Sequence, residues 1–153
     1  MNKTLLRTAF NEFLGRENWT LWITITFRNP TTKDLAHRRF KYFLKTLNND
    51  QEEFYAKYVY AVIFYEFEGF RKGVHIHSIV NNISSDKARL LEAECKRVFG
   101  ESKVVPMHEG VKEYLAKKYG SAKLADFDYL KINSKYRGHR KERKEYGKAN
   151  ISL

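Results

Sequence analysis

The sequence predicts an α+β fold in which helices pack on one central antiparallel sheet. Three observations support this prediction: strand-like segments with alternating apolar residues, amphipathic helical segments between them, and a glycine-flanked turn that joins two neighbouring strand-like segments. A chain of 153 residues that is 42% hydrophobic is long enough to form one domain with a substantial core. We therefore expect one folded unit.

The first elements alternate between helix and strand. Apolar residues at helical spacing over residues 3–14 predict a short leading helix. Residues 19–27, WTLWITITF, predict a strand with a purely apolar face that meets helices and a Thr-bearing face that is wetter. Pro30 and the pattern Thr31-x-x-Asp34 then predict the start of a helix that continues to Leu47.

The middle of the chain predicts a β-hairpin. Residues 58–68, YVYAVIFYEFE, and residues 74–80, VHIHSIV, are rich in β-branched and aromatic side chains. The segment between them, GFRKG, contains Gly69 and Gly73, as expected for a turn between antiparallel strands.

The rest of the chain predicts a helix, a short strand and a last helix. Ser84, Ser85 and Asp86 predict the cap of an amphipathic helix that ends at Gly100. Residues 102–107 predict a short strand, and residues 111–119 predict a last helix. The order β-α-β-β-α-β-α is that of a ferredoxin-like split βαβ fold, in which the first and third strands lie at the centre of the sheet.

Two histidines on the second hairpin strand indicate a metal site. His75 and His77 are two residues apart, so both imidazoles leave the same face of the sheet. Glu66 and Glu68 share a face of the neighbouring strand, and either carboxylate can complete the cluster. We favour Glu66 because it lies deeper in the strand, where the backbone holds it more firmly. The face concerned should be the one that the two crossover helices leave uncovered.

The last helix carries a tyrosine and a lysine at its border with solvent. Val111, Leu115 and Tyr119 form a stripe that should pack on the sheet, whereas Tyr114 and Lys117 lie on an adjacent stripe. Spacing alone leaves two interpretations open. One is a packing tyrosine whose hydroxyl lies in water, and the other is a phenol nucleophile beside the metal, with Lys117 near a phosphate.

The charge of the chain suggests an anionic partner. The formal net charge is +11, and residues 131–148 contain eight Lys or Arg against two Glu. We therefore divide the chain into a domain of residues 1–130 and a basic C-terminal arm of residues 131–153. The lone Cys95, the absence of a secretory apolar segment near residue 1 and the lack of a membrane-length apolar run predict a cytoplasmic protein without a membrane partner.

Three motifs follow one another along the chain: TITFR at residues 24–28, VHIHS at residues 74–78 and YLAK at residues 114–117. On the predicted strand order this set resembles the three motifs of the HUH endonucleases, specifically the rolling-circle replication initiator (Rep) proteins of plasmids and phages. The resemblance covers residues 19–120 and implies an HUH nuclease fold. Some Rep proteins use two tyrosines four residues apart; Tyr119 is five residues from Tyr114, so a single nucleophile is expected.

The resemblance implies metal-assisted transesterification of single-stranded DNA or of an origin hairpin. His75, His77 and Glu66 would hold Mn²⁺ or Mg²⁺ against the scissile phosphate, Tyr114 would attack phosphorus, and Lys117 would stabilise the phosphate or phenolate. A replication helicase of the host is the further partner that the resemblance suggests. The candidate phosphate contacts are Arg28, Arg71, Lys72, Lys135, Arg137 and Arg140.

Three alternatives remain. A single-tyrosine HUH transposase or a relaxase would use the same site on other DNA. A non-catalytic RNA-binding module on a ferredoxin-like scaffold would bind RNA without a metal and would form no covalent adduct. A two-His, one-carboxylate Fe(II) oxygenase is disfavoured because the predicted helices leave no room for the β-sandwich that such a site needs.

Overall fold

The computed structural model describes residues 12, 15, 17–48, 52–67, 73–119 and 127–134, apart from the side chains of residues 116–119. The strands are β1 (Leu21–Phe27), β2 (Tyr58–Phe67), β3 (Val74–Asn81), β4 (Gly100–Pro106) and β5 (Phe127–Asn133). The helices are α1 (Lys33–Thr46), α2 (Ala88–Val98) and α3 (Glu109–Tyr119). Of the leading helix predicted over residues 3–14, only Glu12 belongs to the described residues, and it is helical. No described helix is long and apolar enough to cross a membrane.

The five strands form one antiparallel sheet in the order β4-β1-β3-β2-β5. Strand β3 is inserted between β1 and β2, and α1 connects those two strands. This is the predicted α+β arrangement with β1 and β3 next to each other within the sheet. The hairpin of β2 and β3 is confirmed as well.

One side of the sheet, which we call the helix face, is covered by α1 and α2. Leu21, Ile23 and Ile25 of β1 are completely buried there, in a cluster that includes Phe40 of α1 and Leu91 of α2. Full burial of such a side chain contributes about 1.5–3 kcal/mol to folding. The prediction that the apolar face of β1 meets the helices is confirmed.

The start of α1 is one residue later than predicted. Thr32 is the N-cap, and its Oγ1 accepts a hydrogen bond from the backbone N–H of Leu35 at 3.2 Å. Thr31 is held against the hairpin instead, because its carbonyl accepts the N–H of Val74 at 3.1 Å. Gly73 has φ 66° and approaches so closely that a Cβ there would lie 2.6 Å from backbone atoms of Thr31. A side chain at position 73 does not fit this turn.

The other side of the sheet, which we call the site face, is partly covered by α3. Val111 and Leu115 of α3 form a second buried cluster with Val62, Phe64 and Ile79 of the sheet. The predicted packing of this helical stripe is confirmed for these two residues. The third member, Tyr119, has its side chain outside the described part of the chain.

Strand β5 was not predicted, and it contains the expected boundary between residues 130 and 131. Residues 131–133 therefore continue the sheet instead of opening the predicted basic arm. The physical reason is the alternation of FDYLKIN: Leu130 and Ile132 pack against the helix-face cluster, while Phe127, Tyr129 and Lys131 face the other way. Residues beyond 134, including the rest of the arm, lie outside the described residues.

Candidate metal centre and adjoining cleft

The register of β2 and β3 places a carboxylate beside two imidazoles. Glu66 is the cross-strand partner of His75, and His77 follows two residues later on the same face. Side chains directly opposite each other on an antiparallel pair have Cβ atoms about 5 Å apart. The three groups therefore leave adjacent positions of the site face, the face on which the sequence predicts a metal cluster.

Their potential ligand atoms converge. Glu66 Oε2 lies 2.7 Å from His75 Nε2 and 3.5 Å from His77 Nε2, and the two Nε2 atoms are 3.1 Å apart. The side chains of His75, His77 and Glu66 are 9%, 12% and 22% exposed. The cluster is thus shielded by protein, with its carboxylate as the most accessible group.

This donor set fits a divalent cation. Adjacent ligands of a six-coordinate ion with bonds of about 2.1 Å lie about 3 Å apart, and the three separations bracket that value. Two imidazoles and one carboxylate are a common ligand set that leaves positions open for other oxygen ligands. Without an ion, the shortest separation is that of an N–H···O hydrogen bond from His75 to Glu66. The three side chains form a possible metal site whose geometry does not select one metal.

The orientation of His77 is set by residues of β1. Thr24 is its cross-strand partner, and Thr24 Oγ1 is hydrogen-bonded to His77 Nδ1 at 3.3 Å. The ring of Trp22 stacks on the His77 ring with centroids 5.1 Å apart and planes 17° apart. With Nδ1 held by Thr24, the other nitrogen points at the cluster, which is how outer residues commonly orient metal-binding histidines.

Tyr114 shares a cleft with His77. The Trp22 ring that stacks on His77 also meets the Tyr114 ring edge-on, with centroids 6.2 Å apart. His77, Trp22 and Tyr114 line one cleft of about 380 Å³, and Tyr114 is 46% exposed. The structure thus brings the predicted nucleophile and one of the predicted metal ligands to the same opening on the site face.

Two further residues line the cleft and do not belong to the predicted site residues. Lys103 of β4 is the cross-strand partner of Thr24, which in turn faces His77, so the three residues form a row across the sheet. Lys103 is one of 29 Lys and Arg residues, and no local pattern marks it. His108 lines the cleft at the start of α3, where its carbonyl accepts the N–H of Val111 at 3.0 Å.

Among the predicted phosphate contacts, Arg28 alone belongs to the described residues. Its guanidinium donates to the carbonyl of Lys96 at 3.2 Å in the last turn of α2, where a cation is favoured by the helix dipole. Arg28 is not among the described residues that line the cleft. The other predicted residues lie outside the description, namely the side chain of Lys117 and all of Glu68, Arg71, Lys72, Lys135, Arg137 and Arg140.

Comparison of the chain with protein-family models, with curated proteins and with solved structures finds no match. The resemblance of the three sequence motifs to HUH endonucleases therefore stays a prediction. The geometry of the cluster and cleft is the basis for the function proposed below.

Proposed function

We propose that this chain is a metal-dependent, site-specific endonuclease of the HUH type that nicks and rejoins single-stranded DNA to initiate rolling-circle replication. In this proposal the split βαβ sheet is an HUH nuclease fold, and the ion is Mn²⁺ or Mg²⁺. The substrate is single-stranded DNA or an origin hairpin, and a host replication helicase acts with the protein.

One observation carries the proposal. The ring of Trp22 contacts both the accessible Tyr114 and His77, which belongs to the cluster of two histidines and one carboxylate. Phosphoryl transfer to a phenol needs the phenolic nucleophile and a charge-neutralising group at the same phosphate. A histidine pair that served only to fill the core would not need Tyr114 at the same opening.

The chemistry is an exchange of one phosphodiester for another. A divalent ion, when bound by His75, His77 and Glu66, supplies Lewis acidity toward a phosphoryl oxygen. The phenolic oxygen of Tyr114 bonds to phosphorus while the bond to the 3′ oxygen of the preceding nucleotide breaks. The phenol loses its proton to solvent, and the departing 3′ oxygen takes one up. The product is a 5′-phosphotyrosine with a free 3′-hydroxyl, and the reverse attack rejoins the strand without ATP.

A tyrosine needs nearby positive charge for this task, because an ordinary phenol has a pKa of about 10 and is weakly nucleophilic at neutral pH. Lys103 lines the cleft beside Tyr114 and supplies an ammonium group on the side formed by β1 and β4. Lys117 follows Tyr114 by three residues in α3, and the resemblance to HUH endonucleases implies the same role for it. We assign both lysines to stabilisation of the phosphate and of the developing phenolate.

The proposal is tested with a pool of random-sequence single-stranded DNA labelled at its 3′ end, because the protein keeps the 3′ portion through its 5′ phosphate. Incubation with Mn²⁺ should give a labelled protein adduct that survives SDS. The adduct should be absent with EDTA and in Tyr114→Phe, since each removes a component of the transfer. It should persist in Tyr119→Phe.

Tyr42→Phe is the matched control, because Tyr42 is a 63% exposed tyrosine on α1. An adduct that persists in Tyr114→Phe contradicts the assignment of the nucleophile. Loss of the adduct in both Tyr114→Phe and Tyr119→Phe would favour a two-tyrosine scheme. Binding of RNA that ignores EDTA, without any adduct, would favour the non-catalytic binding module.

A further inference from the structure

The edge of the site face formed by β2 and β5 carries three tyrosines and a lysine that the proposed chemistry does not use. Tyr58 and Tyr60 lie on this face of β2, and Tyr129 and Lys131 lie on the same face of β5. We call these four residues the tyrosine patch. Lys131 is the cross-strand partner of Tyr60, so the two strands contribute to one continuous surface.

The side chains of the tyrosine patch are arranged as a layered surface. The rings of Tyr60 and Tyr129 stack with centroids 5.9 Å apart and planes 24° apart, and Tyr58 meets Tyr60 at 5.1 Å. Lys131 Nζ lies 4.5 Å from the centroid of the Tyr58 ring and 5.8 Å from that of Tyr60. Tyr129 is 43% exposed, which leaves ring surface accessible to a ligand.

The patch and the metal cluster occupy opposite ends of the same face of β2. Tyr60 and Glu66 are separated by six residues of strand, a distance of about 20 Å. Val62 and Phe64 lie between them, beneath Val111 and Leu115 of α3. A ligand that reaches both ends must therefore be extended, like a polymer chain that passes along α3.

We infer that the tyrosine patch binds bases of the single-stranded DNA strand whose scissile phosphate lies at the metal cluster. Accessible aromatic rings stack on any base, and a lysine among them pairs with the adjacent phosphates; this combination is typical of single-strand binding surfaces. The net charge of +11 fits an anionic polymer. The inference rests on the proposed function for the identity of that polymer.

Glu17 is an acidic neighbour of the tyrosine patch. Glu17 accepts a hydrogen bond from Asn81 Nδ2 at 2.9 Å, and Asn81 is the cross-strand partner of Tyr60. Burial, followed by the charge of Glu17 and by Tyr60, raises the pKa of Tyr129. The Tyr129 ring therefore stays neutral at physiological pH and adds no negative charge that would repel the strand.

The test measures the binding of a fluorescent oligothymidylate of about 16 nucleotides in EDTA, so that no strand transfer takes place. Tyr129→Ala should weaken binding about 5-fold to 100-fold, the range found when a stacking ring is removed. Tyr129→Phe should restore wild-type affinity, because the ring and not the hydroxyl stacks on the base. Tyr42→Ala, which removes an exposed tyrosine from α1, should leave affinity unchanged.

Thermal melts of each variant establish that it is folded. The variants Tyr129→Phe and Tyr129→Ala differ only in the side chain at one exposed position. Equal affinities of Tyr129→Ala and Tyr42→Ala overturn the inference, as does a wild-type protein that does not bind the oligonucleotide. If the wild-type protein forms the Mn²⁺-dependent adduct in that case, the proposed function still stands. If Tyr129→Ala weakens binding but the wild-type protein forms no adduct, the binding surface stands and the nuclease proposal fails.

Discussion

At the scale of single residues, His77 has a different neighbour at each ring nitrogen. Nδ1 is hydrogen-bonded to Thr24, while Nε2 faces Glu66 and His75. A hydrogen bond of this kind fixes how the ring is turned. The metal affinity of the cluster should therefore depend on a hydroxyl that is not itself a ligand.

Replacement of Thr24 by Val tests this dependence. Thr24→Val keeps the β-branched shape of the strand residue but removes the hydroxyl, so Mn²⁺ binding should weaken about 10-fold, within the range found when outer partners of ligands are lost. Isothermal titration calorimetry with Mn²⁺ measures the affinity. Thr26→Val is the matched control, because Thr26 is exposed two residues further along the same face of β1. Equal Mn²⁺ affinity in both variants would contradict the proposed orientation of His77.

The residues of the candidate site were predictable where their signal was local. The two-residue spacing of His75 and His77 fixes their common face in any strand, and the same rule predicts a common face for Glu66 and Glu68. Thr24 and Lys103 join the site through the pairing of β1 with β3 and β4, whose register depends on contacts distant in sequence. No sequence pattern near either residue indicates that pairing.

At the scale of elements, hydrogen bonds between polar side chains link β5 to α1 and β2. The hydroxyl of Tyr65 donates to Asp128 Oδ2 at 2.7 Å, and His37 Nδ1 lies 3.0 Å from the same oxygen. His37 Nδ1 is also 2.8 Å from the Tyr65 oxygen. Asp128 thereby links β5 to two partners on the helix face, although its side chain is still 38% exposed.

Removal of the Tyr65 hydroxyl should loosen this connection. Tyr65→Phe should lower the free energy of unfolding by about 1 kcal/mol at neutral pH, because one hydrogen bond to a carboxylate is lost. Burial and then the hydrogen bond to Asp128 raise the pKa of Tyr65, so the folded state favours the neutral phenol. The contribution is fully present below the ordinary tyrosine pKa of about 10 and is lost as the pH rises above it.

Urea unfolding at neutral pH and at about pH 11 measures the difference. Tyr42→Phe is the control for loss of an exposed phenol. If Tyr65→Phe is as stable as Tyr42→Phe at neutral pH, the hydrogen bond from the Tyr65 hydroxyl to Asp128 does not stabilise the fold. A stability difference that grows with pH would contradict the sign of the pKa shift.

The contrast between β5 and the other strands explains which elements were predictable. Strands β1 to β3 are long and rich in β-branched residues, so their own sequences mark them. The seven residues of β5 include the polar Asp128 on the helix face and the aromatic Phe127 and Tyr129 on the opposite face, which weakens the alternation of apolar and polar residues. This strand depends on partners that Tyr65 and His37 provide from distant parts of the chain.

At the scale of the whole molecule, positive charge should govern the affinity for DNA. The affinity for single-stranded DNA should fall with salt, with a logarithmic slope of about 0.7 for each phosphate that a cation neutralises. Lys103→Ala should reduce this slope by about 0.7, because Lys103 lines the cleft at the metal cluster. Fluorescence anisotropy over a series of salt concentrations, with EDTA present, measures the slope.

Arg38→Ala is the matched control, since it removes one charge from an exposed position on α1. If both variants change the slope equally, net charge and not the cleft determines binding. The expected difference between them distinguishes a local phosphate contact from the general effect of a charge of +11.

The overall topology was predictable because short connections and the order of elements leave few arrangements. The predicted topology has β1 and β3 side by side and the histidines on the face opposite α1 and α2, as the structure does. It did not specify that Trp22 would contact both His77 and Tyr114, because the packing of α3 on the site face depends on side-chain shape across several strands.

In the proposed reaction, Tyr114 becomes bonded to DNA in the cleft that it shares with His77 of the imidazole cluster. Mass spectrometry of the protein after incubation with single-stranded DNA and Mn²⁺, nuclease trimming and proteolysis identifies the modified residue. We expect a nucleotide attached through a 5′ phosphate to Tyr114, and we expect it to be absent when Mn²⁺ is chelated. Attachment to another residue, or no attachment by a folded protein that binds both the DNA and Mn²⁺, would contradict the proposed reaction.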